Sequence, residues 1–178
     1  MRSQPRAVVV MGVAGAGKTT IGRRLAAALD WPFYDADDFH PAANVARMAA
    51  GIPLTDEERQ PWLTALNRLL TEHLIGGRSL VLACSALKAS YRDQLRAGLT
   101  PLTFIYLRAT RDVLDERLQA RRGHYMPATL LDSQLAALEE PADALVIDAG
   151  APPEAIVRAL IPRLQSLDAA PPDTASPT

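Results

Sequence analysis

The sequence predicts a three-layer α/β fold, in which a five-stranded parallel sheet lies between two layers of helices. Two observations predict this fold class. Short apolar runs alternate along the chain with segments of helical periodicity, and three of the runs are continuously apolar and rich in β-branched residues, as strands covered on both faces are. The alternation gives the order β-α-β-α-α-β-α-β-α-α-β-α, which implies right-handed crossovers between parallel strands.

The five apolar runs have the length of buried strands. They are residues 7–11, 31–36, 79–84, 102–107 and 144–149. The first helix is predicted by Ile21, Leu25 and Leu29, which repeat every four residues. Similar aliphatic spacings at 113–118 and 130–138 predict two later helices.

The helix that follows residue 55 carries both a start signal and a breaking signal. Residues 55–58 read TDEE, a capping box with Thr55 as the N-cap and Glu58 reaching back to it. Pro61 lies well inside the predicted helix. Because proline removes a backbone donor and crowds the preceding turn, we expect a kink or a break there.

The length of the chain, 178 residues, suits a single domain with a substantial core. We place this domain at residues 1–167. Residues 168–178 are polar and rich in proline, which predicts a disordered C-terminal tail.

Composition argues against several classes of partner. The net charge is −1, so no global field attracts nucleic acid or a membrane surface, and no apolar span reaches 18 residues. Cys84 is the single cysteine, which excludes an internal disulfide and fits a reducing compartment. We expect a cytoplasmic protein that binds neither nucleic acid nor membrane.

A glycine-rich turn between the first strand and the first helix carries the strongest functional signal. Residues 12–19, GVAGAGKT, match the pattern G-x-x-x-x-G-K-[ST]. The pattern follows a predicted strand and begins a predicted helix, which is the context in which it indicates a phosphate site. Glycines permit positive φ, so backbone amides converge on phosphate oxygens, while the lysine contacts the β- and γ-phosphates and the threonine hydroxyl binds Mg²⁺. The residues assigned to this nucleoside triphosphate site are Gly12, Val13, Ala14, Gly15, Ala16, Gly17, Lys18, Thr19 and Thr20, with Lys18 catalytic and Thr19 the metal ligand.

Three acids follow the second strand, where doubly wound folds place their ligands. They are Asp35, Asp37 and Asp38. We predict that Asp37 positions the acceptor hydroxyl and takes its proton, and that Asp35 has a structural or indirect role. If the strand extends that far, Asp35 and Asp37 face the same side. Because the third strand leads into Ser85 and not an acid, the metal would be served by Asp37 or by a water that another acid holds.

Several cations on segments that begin at strand ends suggest an anionic acceptor, since the guanidinium fork matches a carboxylate. The candidate acceptor contacts are Arg47, Arg59, Lys88 and Arg92, and His40 is a further candidate. Lys18 and Lys88 are the two lysines among 19 basic residues, which indicates a need for a compact ammonium group or a coding bias toward arginine.

The segment ERLQARRGHYM, residues 116–126, has the composition of a mobile lid. Arg117 and Arg121 lie four residues apart on a helix, and a break follows. We predict a lid at about 117–128 in which both arginines contact the triphosphate and Arg121 is catalytic. Closure of such a lid excludes water from the transferring phosphate.

Together these blocks resemble the small P-loop gluconate kinases, in particular the thermoresistant bacterial type. The most specific matches are HPAANVARMAAGIPLTDEERQPWL at 40–63 and CSALKASYRD at 84–93. The resemblance implies a nucleoside-monophosphate-kinase-like P-loop fold, ATP-dependent phosphorylation of D-gluconate at its terminal hydroxyl, and a homodimer. By the same analogy, residues 148–152 contact the adenine base. This family usually has glycine where this chain has Ala36, a change that removes no chemistry.

Two other classes of protein remain as alternatives. Shikimate kinase, or another small-molecule P-loop kinase, shares the acids and arginines, but shikimate kinase would carry a glycine triplet after the third strand, where this chain has SALK at 85–88. A nucleotide-dependent switch would need an Asn-Lys-x-Asp guanine reader, which this sequence does not contain. A catalytically inactive ATP-binding module is the remaining alternative of that class.

Overall fold

A computed structural model describes residues 4–100, 102–120 and 128–169. Its five strands form one parallel sheet in the order β2-β3-β1-β4-β5. The strands are β1 Ala7–Met11, β2 Phe33–Asp35, β3 Leu80–Ala83, β4 Leu102–Arg108 and β5 Leu145–Asp148. The helices are α1 Lys18–Leu29, α2 Ala42–Ala49, α3 Asp56–Ile75, α4 Ala89–Arg96, α5 Arg111–Ala120, α6 Ala128–Ala137 and α7 Pro153–Ala169, with a 3₁₀ helix at Ala36–Phe39. The predicted order of strands and α-helices is confirmed.

Both faces of the sheet are buried, as the continuously apolar strands predict. On β1, Val8 and Val10 belong to one hydrophobic cluster, together with residues of α1 and α7. Val9 and Met11 belong to the other, together with residues of α3 and α4. Successive side chains of a strand point to opposite faces, so one apolar strand supplies both cores and the three-layer architecture is confirmed.

The central position of β1 determines where the site lies. Val8 on β1 pairs with Val81 on β3 at one edge and with Thr103 on β4 at the other. The sheet order therefore reverses around β1, and the crevice beyond the carboxyl end of such a strand is the usual ligand site of an open parallel sheet. The glycine-rich turn leaves β1 at this end.

Helix α3 begins as predicted but continues through its proline. The capping box is present, because Glu58 N donates to Thr55 Oγ1 at 3.2 Å and Thr55 N donates to Glu58 Oε2 at 2.8 Å. Of the kink or break expected at Pro61, the break is wrong, since α3 runs unbroken over 20 residues. Pro61 lies in the second turn, where it removes one backbone bond, and the buried side chains of Trp62 and Leu63 immediately after it hold the helix against the sheet.

The ends of two predicted segments differ from their assignments. Residues 117–120 of the predicted lid are the last turn of α5, and α7 includes residues 168 and 169 of the predicted tail. The remaining tail residues, 170–178, and the lid segment 121–127 lie outside the described residues. Within the described ranges, no helix is long and apolar enough to cross a membrane.

Candidate active site

The glycine-rich turn has the conformation that its sequence requires. Gly12, Gly15 and Gly17 have φ values of +147°, +82° and +98°, a region that residues with a Cβ rarely occupy. A Cβ at Gly12 would also lie 3.0 Å from the Leu107 carbonyl oxygen. Gly17, in the left-handed conformation, is the N-cap of α1. The turn therefore presents backbone amides and the start of a helix to the same space, as an anion site does.

The residues of the glycine-rich pattern continue into the first turn of α1. Lys18 Nζ donates to the Val13 carbonyl at 3.1 Å, so the ammonium group lies over the loop. Thr19 Oγ1 donates to Asp35 Oδ2 at 2.8 Å. Thr20, the last residue assigned to the phosphate site, is exposed on α1 and does not line the cavity described below.

The backbone between Asp35 and Asp37 does not continue in the extended conformation that the sequence suggested. Strand β2 ends at Asp35, and residues 36–39 form the 3₁₀ helix, so the alternation expected for an extended strand does not apply. Asp35 caps this helix instead, since its Oδ1 accepts from Asp37 N at 3.1 Å. Both acids nonetheless line one cavity with Lys18 and Thr19.

The environment of Asp37 raises the pKa of its carboxyl group. Desolvation within the cleft raises the pKa of its carboxyl group above the ordinary value of 3.8, and the negative charges of Asp35 and Asp38 raise it further. Lys18 acts in the opposite direction. A carboxylate with a raised pKa accepts a proton more readily, which suits the predicted role of Asp37.

The hydroxyl of Thr19 and the carboxylate of Asp35 fit a magnesium ion. Both are hard oxygen donors, and Mg²⁺ in phosphate sites uses one or two protein oxygens and completes its shell with water and phosphate. In the described part of the chain, no group of three or more His, Cys, Asp or Glu side chains is arranged for metal binding, so a site for a more fully protein-ligated metal is not found there.

One cavity of about 1030 Å³ joins the phosphate loop to the predicted acceptor groups. Of the predicted site residues it is lined by Ala14, Gly15, Gly17, Lys18, Thr19, Asp37, His40, Arg59 and Lys88, and other lining residues are Asp35, Asp56, Trp62, Cys84, Ser85, Tyr91, Ser133 and Gln134. Burial raises the pKa of the Cys84 thiol to about 12, so this thiol is not a nucleophile at neutral pH.

Part of the cavity wall is a cluster of four side chains, three of them charged. Lys88 Nζ donates to both carboxylate oxygens of Asp56 at 2.8 Å. The Tyr91 hydroxyl donates to Asp56 Oδ1, and Arg59 donates to the Tyr91 oxygen at 3.4 Å. The cationic groups of Arg59 and Lys88 each lie 5.5 Å from the centre of the Tyr91 ring. We call Asp56, Arg59, Lys88 and Tyr91 the acceptor cluster.

His40 forms part of the cavity wall as an uncharged ring. It stacks on Trp62 with the ring centroids 4.3 Å apart, and Trp62 Nε1 is itself fixed by donation to the Ala36 carbonyl at 2.7 Å. Desolvation, followed by the charge of Arg59, lowers the pKa of His40 to about 4. A neutral imidazole offers one donor and one acceptor, which suits a hydroxyl-bearing ligand.

Two predicted acceptor contacts do not line the cavity. Arg47 Nε lies 3.0 Å from Glu58 Oε1, which ties α2 to the start of α3. Arg92 is 6% exposed and donates to the carbonyls of Ala86 and Leu87 at 2.9 and 3.0 Å. Its guanidinium group therefore stabilises the loop that carries Lys88, where the fully buried Ala86 has φ +45°.

One of the two predicted lid arginines, Arg117, lies within the described residues. Arg117 donates to the Ala149 carbonyl at 2.6 Å and to the Ala16 carbonyl at 3.3 Å. It therefore links the phosphate loop to the segment after β5 that was expected to contact the base. Arg121 lies outside the described residues, so its catalytic role stays a prediction.

Sequence reasoning missed several residues that the structure brings to the site. Gln134 Oε1 accepts from Ala14 N at 2.7 Å, although 120 residues separate them. Asp56 belongs to the TDEE pattern, which its place at the start of α3 already explains. Tyr91 offered a weaker signal, namely its position on α4 one turn after Lys88. Asp35 was assigned only an indirect role.

The fold and the site define a small P-loop kinase. The protein-family model described as "Shikimate kinase" matches residues 14–165. The chain is 45% identical over 171 residues to the gluconokinase of Gluconobacter oxydans (strain 621H), a match that covers 94% of this chain and 96% of that protein. It is 41% identical over 157 residues to the thermoresistant gluconokinase of Escherichia coli (strain K12), covering 86% and 90%. Within the small P-loop kinases, the chain belongs to the gluconokinase family.

A solved structure supports the same assignment. The gluconokinase from Sinorhizobium meliloti 1021 matches with a TM-score of 0.84 at 41% identity, covering 94% of this chain and 96% of that one. The resemblance seen in the sequence is confirmed, and the shikimate kinase alternative is not favoured. Strand β3 is followed by Cys84, Ser85 and Ala86 and not by a glycine triplet.

Proposed function

We propose that this chain transfers the γ-phosphoryl group of ATP to the terminal hydroxyl of D-gluconate, giving 6-phospho-D-gluconate. The observation that carries the proposal is that the phosphate loop and the acceptor cluster line one and the same cavity. An elongated acceptor with a carboxylate at one end and a hydroxyl at the other matches this arrangement. The 41–45% identity to gluconokinases supports the choice of acceptor.

On the donor side, the amides of residues 12–19 and the ammonium group of Lys18 bind the phosphates. When Mg²⁺ is bound with the nucleotide, it neutralises charge on the transferring phosphate. Thr19 and Asp35 would hold the ion, because their hydroxyl and carboxylate oxygens already meet at 2.8 Å. The protein thus supplies position and charge, which is most of what phosphoryl transfer needs.

On the acceptor side, Asp37 orients the hydroxyl and takes its proton as the new O–P bond forms. Arg59 and Lys88 attract the carboxylate of the acceptor, and the neutral ring of His40 exchanges hydrogen bonds with its hydroxyls. Two cations in the acceptor cluster and the carboxyl group of Asp37 elsewhere on the cavity wall would select the direction in which a hydroxy acid lies. We therefore infer that a carboxylate at the acceptor cluster aims the opposite end at Asp37.

The lid is part of the same proposal. Arg117 joins α5 to the phosphate loop, and α6 returns to that loop through Gln134. We propose that the segment between these helices closes over the phosphates and that Arg121 then contacts the γ-phosphate. Such closure would favour transfer to gluconate over transfer to water.

The test is an ADP-coupled assay with Mg·ATP and a panel of D-gluconate, shikimate and nucleoside monophosphates. We expect kcat/KM for gluconate to exceed that of every other acceptor by about 100-fold or more, because the other acceptors leave buried polar groups unpaired. Turnover should also disappear when Mg²⁺ is chelated. A higher kcat/KM for shikimate or for a nucleotide would replace the proposed acceptor, and ADP release independent of any acceptor would indicate an ATPase.

Three further expectations belong to this proposal. We propose a cytoplasmic homodimer whose partners are small molecules and not nucleic acid or membranes. The net charge of −1 and the single, buried cysteine support the choice of compartment and partners, whereas the dimer rests on the family resemblance. Light scattering coupled to size exclusion would measure the assembly, and a mass near one chain, 19.2 kDa, would contradict the dimer.

A further inference from the structure

The acceptor cluster contains a carboxylate before any substrate arrives. Both oxygens of Asp56 accept from Lys88 Nζ at 2.8 Å, and one also accepts from the Tyr91 hydroxyl. Hydrogen bonds from Lys88 and Tyr91 lower the pKa of Asp56 below its ordinary value of 3.8, so the group is anionic at neutral pH. These are the donors that the carboxylate of a hydroxy acid would need.

The charge of Asp56 offsets half of the positive charge in the acceptor cluster. The two cations are Arg59 and Lys88; Asp56 contacts Lys88 directly and interacts with the charge of Arg59. The nearby Glu58 is engaged by Arg47 and by the capping box, and Asp37 belongs to the 3₁₀ helix beside the phosphate loop. An acceptor carboxylate that enters beside Asp56 would therefore meet a like charge, which is unfavourable.

We propose that Asp56 is a competitor carboxylate: it occupies the position of the acceptor's carboxylate in the ligand-free protein and releases Lys88 and Tyr91 when the acceptor binds. The inference rests on the proposed function and adds to it a residue that lowers affinity for the acid. Asp56 keeps Lys88 and Tyr91 ordered between turnovers, and it competes for Lys88 again when the product leaves.

The exposure of the pair makes this exchange energetically accessible. The Asp56 and Lys88 side chains are 50% and 32% exposed, and ion pairs in contact with solvent contribute little net free energy. Asp56 lies at the first position of α3, where a carboxylate released from Lys88 remains solvated and near the positive end of the helix. Displacement therefore buries no unpaired charge.

If Asp56 had a fixed positioning role and did not compete, its removal would have the opposite effect on acceptor binding. If Asp56 stayed on Lys88 and held it in place, its removal would disorder the cation and weaken acceptor binding. If Asp56 competes, its removal frees Lys88 for the ligand and strengthens binding of an acid. A neutral polyol of the same length gains much less, because it brings no charge to the freed ammonium group.

The experiment compares Asp56→Asn with the wild-type protein by calorimetric titration of D-gluconate and of D-glucitol, which has a hydroxyl in place of the carboxylate. We expect gluconate to bind roughly two- to fivefold more tightly to the variant, the range that the loss of an exposed ion pair corresponds to. The affinity for glucitol should change by less than about twofold on the same grounds. Asp56→Ser repeats the measurement should the asparagine variant be unstable.

Glu72→Gln is the matched control for charge. Glu72 is paired with Arg68 at 2.7 Å on the same helix, and it lies sixteen residues from Asp56, about 24 Å along α3. This variant should leave both affinities unchanged. Weaker or unchanged gluconate binding to Asp56→Asn, an equal gain for glucitol, or an equal gain in the control would each overturn the inference. Wild-type protein that neither binds nor phosphorylates gluconate would instead overturn the proposed function.

Discussion

Two neighbouring acids, Asp35 and Asp37, share one cavity and have different environments. Asp35 accepts hydrogen bonds from Thr19 Oγ1 and from Asp37 N, so its oxygens are directed toward the predicted metal site. The pKa of Asp37 is raised by desolvation and by the charge of Asp35. The raised pKa of Asp37 supports the proposal that this carboxyl group takes the proton of the acceptor hydroxyl.

Replacing Asp37 with asparagine should separate chemistry from binding. Because an amide orients a hydroxyl but cannot take its proton, we expect kcat to fall by about 10²- to 10⁴-fold, with the Kd of ATP nearly unchanged. The raised pKa also means that folding disfavours the ionised carboxyl group, so that stability falls as pH rises through its folded-state pKa. The variant should therefore melt at a higher temperature than the wild type at neutral pH, and this difference should vanish in acid.

Asp38→Asn is the control for Asp37→Asn. Asp38 has the same charge and lies one residue further along the same 3₁₀ helix, but it does not line the cavity. Its replacement should leave kcat within a few-fold of the wild type. If Asp37→Asn raised only the KM for gluconate, Asp37 would be a binding group and not the proton acceptor.

Helices α5 and α6 each contact the phosphate loop through one long side chain. Arg117 on α5 donates to the Ala16 carbonyl, and Gln134 on α6 accepts from Ala14 N. Both helices are therefore linked directly to the phosphate loop. The Gln134 carbonyl oxygen satisfies the Ala14 amide as a phosphate oxygen would.

Removing the Gln134 side chain should therefore change the loop most when it holds no nucleotide. In Gln134→Ala, the Ala14 amide loses a hydrogen bond worth about 1 kcal/mol, so its exchange with deuterium should accelerate by about fivefold. Saturating Mg·ATP should restore most of the protection. Ser133→Ala, which alters a neighbouring cavity residue, should leave exchange at the loop unchanged; an equal acceleration there would point to general loosening of α6.

At the scale of elements, the bounds of the strands could be predicted closely, whereas the continuation of α3 through Pro61 could not. Each predicted strand overlaps its observed counterpart with ends that agree within about two residues, which is the usual precision of such boundaries. The break at Pro61 was predicted from a local rule. It did not occur because the buried residues of α3, including Trp62 and Leu63, pack against the sheet, and tertiary packing outweighs the loss of one backbone bond.

At the scale of the whole molecule, the site divides into a part encoded locally and a part assembled by the fold. Glycines 12, 15 and 17 belong to one short motif, so their positive φ values could be inferred from that motif alone. The bond between Ala14 and Gln134 joins residues 120 positions apart. The burial of Arg92 likewise depends on the position of the loop after β3. The sequence alone therefore suggested that Arg92 binds the acceptor, whereas in the structure it supports the loop that carries Lys88.

The buried thiol of Cys84 should make global stability depend on alkaline pH. Its pKa is about 12 in the folded protein against an ordinary value of 9.0, and the dominant cause is burial. Unfolded chains therefore lose the thiol proton first, and stability falls as pH rises from about 9 toward 12. Denaturant melts of Cys84→Ala should show a smaller loss of stability over this interval than wild-type melts, whatever the variant's overall stability. Parallel losses would mean that the native thiol is already ionised.

The phosphate loop and the acceptor cluster are carried by different elements of the fold. The donor loop leaves the central strand β1, which is paired on both sides. Three members of the acceptor cluster lie on α3 and α4, and Lys88 directly precedes α4. Mutations in α3 and α4 can therefore change which alcohol binds as acceptor without altering the loop that is proposed to bind the triphosphate. This separation gives the scaffold a route by which evolution can diversify its substrates.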